Sequence, residues 1–129
     1  MASLIATLIA MAVLDALWLG LVARNFYRTH LGYLMAETPN WAAAGLFYVL
    51  YAVGVAFFVV QPAVTAGSVG QALIRGALFG LVAYATYDLT NAATVKDWPI
   101  VVTVVDLAWG TALTAAVAGI ATFAVIRLG

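Results

Sequence analysis

Four long apolar stretches, separated by short polar connections, occupy most of this chain. They run over about 3–23, 41–60, 71–93 and 100–126. A helix of about 20 residues crosses a hydrocarbon core roughly 30 Å thick. Short connections force consecutive helices to be antiparallel neighbours. The pattern therefore predicts an all-α polytopic membrane protein, a four-transmembrane-helix up-down bundle. Composition agrees: 67% of residues are hydrophobic and 8% charged, where soluble domains run about half apolar and a quarter charged. The four helices use up residues 1–129 as one transmembrane domain.

The connections differ in kind. The stretch RNFYRTHLGYLMAETPN (Arg24 to Asn40) is the most polar part of the chain. Arg24, Arg28 and His30 alternate there with Phe26, Tyr27, Leu31, Tyr33 and Leu34, which suits a helix extension or an interfacial segment at the headgroups. Trp41 reads as an interface anchor. QPAVTAGSVG (Gln61 to Gly70) holds Pro62, Gly67, Ser68 and Gly70 and reads as a turn. TVKDWP (Thr94 to Pro99) is short, and Pro99 is well placed at the start of the last helix. The first apolar run has no basic residue before it and continues to about Ala23, so it is expected to be a retained helix, not a signal peptide. Arg24, Arg28 and Lys96 lie on one side and Arg75 and Arg127 on the other, and the positive-inside rule then prefers both termini outside the cytoplasm.

Several function classes are removed at this point. Five Lys/Arg balance five Asp/Glu, which argues against nucleic acid as a partner. The chain has no cysteine and one histidine, His30, so thiol chemistry and paired-histidine haem ligation have no residues to use. No phosphate loop, Ser-His-Asp set or metalloprotease motif appears. No cofactor and no metal site is assigned, although Asp15, Asp88, Asp106 and Asn91 together would offer a hard cation oxygen-only coordination. Whether the chain is an enzyme stays open. Acid–base chemistry is the one class its residues support.

Three aspartates sit inside the apolar runs: Asp15, Asp88 and Asp106. A carboxylate at membrane depth costs several kcal/mol and is rarely idle. Counting residues to the nearest helix end places Asp15 about 12 Å deep, Asp88 roughly 8 to 9 Å and Asp106 about 10 Å. All three ends face the same side. Tyr84, Tyr87, Asp88 and Asn91 form one stripe on the third span. Thr103, Asp106, Trp109 and Gly110 form another on the fourth, and Asp15, Trp18, Val22 and Asn25 a third on the first. The expectation is a polar pocket floored by aromatics and open toward the headgroups, with Arg24, Arg28 and Lys96 at its mouth for an anionic group. The plainer reading has Asp88 bonding Tyr and Asn neighbours, and Asp15 and Asp106 accepting from the indoles of Trp109 and Trp18. Small residues repeat every four positions at Ala72, Gly76 and Gly80, at Ala12, Ala16 and Gly20, and at Ala108, Ala112 and Ala116. Such rows bring helix backbones together, here expected within the monomer more than between copies. LDALWLG and VDLAWGT share Asp-x-x-Trp, an echo that either duplication or chance would produce.

The run YDLTNAATVKDWP (Tyr87 to Pro99), continued by VTVVDLAWGTALT (Val102 to Thr114), resembles domain-of-unknown-function family 2177 of small bacterial membrane proteins. LDALWLGLVARNFY (Leu14 to Tyr27) and GYLM (Gly32 to Met35) are similar to that family's opening. The resemblance implies a multi-pass protein of the bacterial inner (plasma) membrane with no established activity. The leading functional expectation is a leaflet-embedded pocket that binds or acts on a lipid or other amphiphile. A proton- or ion-coupled small transporter is one alternative, and a non-catalytic accessory subunit of a larger membrane complex is another. Membrane lipids are the expected partners, with a homodimer or larger assembly compatible with the small-residue rows.

Overall fold

A computed structural model of the chain describes residues 1–36 and 38–128, apart from the side chains of Leu21, Val22 and Arg24. Helix α1 (Ala2–Leu17) passes without a loop into a π-helical turn, Trp18–Val22, and then into α2 (Arg24–Leu31). The Ala23 N–H donates to the Trp18 carbonyl at 2.8 Å. That wide turn inserts a residue into the helical repeat and redirects the chain. On α2, Asn25, Arg28 and Thr29 are exposed while Phe26, Tyr27, His30 and Leu31 are half-buried. This is the amphipathic segment expected between the first two spans, laid across one end of the bundle.

Asn40 caps α3 (Trp41–Val55), accepting from the Ala43 N–H at 3.0 Å. The second span does not stop at Val60 as the Pro62 signal suggested. A second π-helical turn, Ala56–Val60, carries α3 into α4 (Gln61–Ala66), giving a continuous rod of 26 residues. Proline lacks an N–H and crowds the carbonyl four residues back, and the widened turn just before Pro62 absorbs both defects. The break comes instead at Gly67, whose φ of 65° is left-handed. Ser68 then caps α5 (Val69–Thr94) by accepting from the Gln71 N–H at 3.0 Å. Asp97, at φ 58°, turns the chain into α6 (Ile100–Leu128). Short polar Asp tolerates that conformation.

Among the described residues, four helices are long and apolar enough to cross a membrane: Ala2–Gly20, Trp41–Ala66, Val69–Thr94 and Ile100–Leu128. The first ends earlier than the expected 23 and the second runs later than the expected 60. Helix α6 is central, packed on α1, on the α3–α4 rod and above all on α5. Small residues make the last contact close. Ala72, Gly76 and Gly80 of α5 are buried against Gly110, Thr114 and Ala118 of α6. The other two predicted rows do not pack inside: Ala12, Ala16, Gly20, Ala108 and Ala112 are exposed and Ala116 is half-buried. The core is built from Ala, Val and Thr, while Leu46, Phe47, Leu50, Ile74, Leu78 and Val104 face outward. Large apolar side chains outside and small ones at helix contacts are what a lipid solvent selects.

Candidate functional site: a buried carboxyl pair beneath an amphipathic helix

Asp88 lies six residues from the end of α5 and Asp106 six residues from the start of α6. Because the two helices are antiparallel and tightly packed, equal offsets bring the carboxyl groups together, within hydrogen-bonding reach of each other. Asp88 is 0% exposed and Asp106 7%. Asp106 accepts a short hydrogen bond from the Tyr27 hydroxyl, which descends from α2. The Trp18 Nε1–H in turn points at the Tyr27 oxygen at 3.4 Å. Neither oxygen of Asp88 has a hydrogen-bond partner among the described residues. Its neighbour is another acceptor. A buried carboxylate in that position is unstable as an anion unless a proton or cation joins it.

The two tryptophans of the Asp-x-x-Trp echo stack face to face, with ring centroids 4.2 Å apart and planes 9° from parallel. Trp18 and Trp109 thus pin the end of α1 to α6 beside the pair. On the same side, Trp98 donates to Thr103 at 3.0 Å, and the Tyr33 hydroxyl donates to the Asp97 carbonyl at 3.1 Å, tying the segment after α2 to the α5–α6 turn. Burial pushes the Tyr27 phenol well above its ordinary range, and its bond to Asp106 adds to this. The hydroxyl is therefore a donor throughout the neutral range.

Not every predicted residue joins. Asp15 is half-buried and turned toward the Tyr48 hydroxyl of α3. Among the described residues no three acidic or histidine side chains gather as a metal site would require, so the expected convergence of three carboxylates reduces to two. Neither indole bonds an aspartate directly: Trp18 acts through Tyr27, and Trp109 contributes its ring face. Tyr84 is half-buried, its ring seated against Gly110. Tyr87 is exposed and rests edge-on against Trp98, and Asn91 is half-buried. Asn25, Arg28 and Lys96 are exposed, and the Arg24 and Val22 side chains lie outside the described residues. The aromatics close over the carboxyls instead of flooring an open pocket. An apolar groove of about 590 Å³ lies elsewhere, lined by Ile5, Ile9 and Val13 of α1 and by Ile120, Ala124 and Leu128 of α6.

Sequence reasoning missed Tyr27 as a site residue, along with the Tyr51 hydroxyl, which bonds Thr114 at 2.7 Å in the bundle core. The alternation of aromatic and basic residues in 24–34 was the available signal for Tyr27. Which aromatic turns inward depends on how α2 folds back.

A family model described as "Predicted membrane protein (DUF2177)" matches residues 1–123. No curated protein and no solved structure matches the chain.

Proposed function

Since this chain belongs to the DUF2177 family of predicted membrane proteins, its carboxyl pair is best read with lipid around it, and we propose a small proton-coupled membrane transporter in a bacterial inner membrane. The Asp88–Asp106 pair would take up and release a proton from the side that α2 covers. One observation carries this reading: both oxygens of Asp88 are buried without a donor while facing a second carboxyl. Placed in a bilayer with the helix ends at the interface, the pair lies about 9 Å deep. A proton between two carboxyls turns one acceptor into a donor and satisfies both. Tyr27 holds Asp106 as the acceptor, which leaves Asp88 to gain and lose the proton.

The test is proton uptake in proteoliposomes loaded with a pH-sensitive dye, under an imposed pH gradient. Wild-type protein should dissipate the gradient faster than empty vesicles, and Asp88→Asn should not. Equal rates for wild type and Asp88→Asn would end this reading. The apolar groove favours a second one, in which an acyl chain of a membrane lipid lies along the α1–α6 seam. Native mass spectrometry of detergent-extracted protein separates the two, because lipid retention would then respond to Ile9→Trp in the groove and not to Asp88→Asn.

A further inference from the structure

We propose that the carboxyl pair also binds a hard alkali cation, with Na⁺ as the probe, in exchange for its proton, which names the class of coupling ion for the site proposed above and rests on that reading. The donor set is oxygen only. Asp88 brings two unengaged oxygens, Asp106 keeps Oδ2 free of its bond to Tyr27, and the Tyr27 phenol oxygen retains a lone pair. These donors come from α5, α6 and α2, so the ion would sit where the three elements meet. Hard oxygen donors select alkali or alkaline-earth ions over transition metals. Ca²⁺ takes about six to eight oxygens, more than this set supplies, and no third acidic or histidine ligand stands among the described residues. A bulky organic cation is excluded by size, since Asp88 is fully buried and the Trp18–Trp109 stack and Tyr27 close the space beside it.

The exchange is balanced. Protonated Asp88 loses its O–H proton to water on the α2 side as Na⁺ takes the vacated oxygens, and Asp106 stays the anion that Tyr27 stabilises. The two carboxyls then carry two negative charges and the bound Na⁺ one positive, so the site's net charge is minus one before and after. No other bond changes, so the step needs no further reactant.

The stacked indoles beside the site supply an intrinsic reporter. Full-length protein in detergent, held in choline chloride, is titrated with NaCl, LiCl and KCl while near-ultraviolet circular dichroism follows the Trp18–Trp109 couplet and a dye follows released protons. Na⁺ should change the couplet and release about one proton per chain, with the half-saturating concentration rising about tenfold per unit fall in pH. Asp88→Asn should lose both signals and Asp15→Asn neither. If Asp88→Asn does not fold, Asp106→Asn serves in its place. A sodium response that survives in the folded Asp88→Asn protein overturns the assignment. If none of the three ions acts beyond choline while a carboxylic C=O infrared band still titrates in the wild type, the cation inference fails and the proton reading stands. If no carboxyl titrates at all, both fall.

Discussion

Replacing Gly80 by alanine tests whether α5 and α6 depend on backbone-to-backbone contact. A Cβ built on Gly80 would stand 2.2 Å from the Gly110 carbonyl oxygen and 2.6 Å from Thr114 Oγ1, where ordinary contact begins at 3.4 Å. The deficit is about 1.2 Å against the oxygen. The obstructing atom belongs to a helix backbone, so no side-chain rotation relieves it and the two helices must move apart. Overpacking of this kind costs about 1–3 kcal/mol, and alanine's better helix propensity returns up to about 1 kcal/mol. A net loss of about 1–2 kcal/mol is expected. Gly45→Ala is the control, because nothing among the described residues lies within 4 Å of its Cβ position. It should be neutral or stabilising by up to about 1 kcal/mol. Thermal and SDS unfolding in mild detergent, followed by circular dichroism, measures both. Gly80→Ala at or above wild-type stability would refute the close-approach account of this interface.

Four further outcomes follow from the site. Asp88→Asn should raise the melting temperature while abolishing proton uptake, because the amide keeps a permanent N–H donor toward Asp106 where the carboxyl loses its donor whenever it gives up its proton. Tyr27→Phe should cost about 1.5 kcal/mol, the lower end for a hydrogen bond to a charged group, since the ring is half-buried. The folded state holds the Tyr27 proton more tightly than the unfolded chain does, so its stabilising share is complete below about pH 10 and is lost as pH rises further. Melts from neutral to strongly alkaline pH should therefore show a smaller alkaline loss for Tyr27→Phe than for wild type. Trp18→Ala should erase the near-ultraviolet couplet and cost about 0.5–1.5 kcal/mol beyond the lost area, and a couplet that persists would contradict the stack. Asp15→Asn should leave the infrared titration of the pair in place, whereas a lost carboxyl band would put Asp15 in the site.

The helical bundle was readable before any coordinates, because the demand that lipid makes on a backbone acts segment by segment. Each apolar run had to be a helix, and runs joined by short polar pieces had to be neighbours. The shared level of Asp88 and Asp106 was also readable. Depth along a helix is a count of residues, and six from each end of an antiparallel pair is the same height. Rotation about the axis was not readable in that way. Asp15 is at a comparable height and still turns to Tyr48, since the azimuth of α1 is set by its contacts with α6 and the α3–α4 rod, including the Trp18–Trp109 stack. Pro62 misled for a related reason. A local breaker signal cannot anticipate the π-helical turn that lets the rod continue to Ala66. Tyr27 lies outside the apolar runs, and only the π-helical turn at Trp18–Val22, folding α2 over the bundle end, carries its hydroxyl to Asp106. Composition and spacing settle how far along each helix a side chain sits. Which neighbour it meets is decided by helix rotation, and that is fixed by packing among residues distant in the chain.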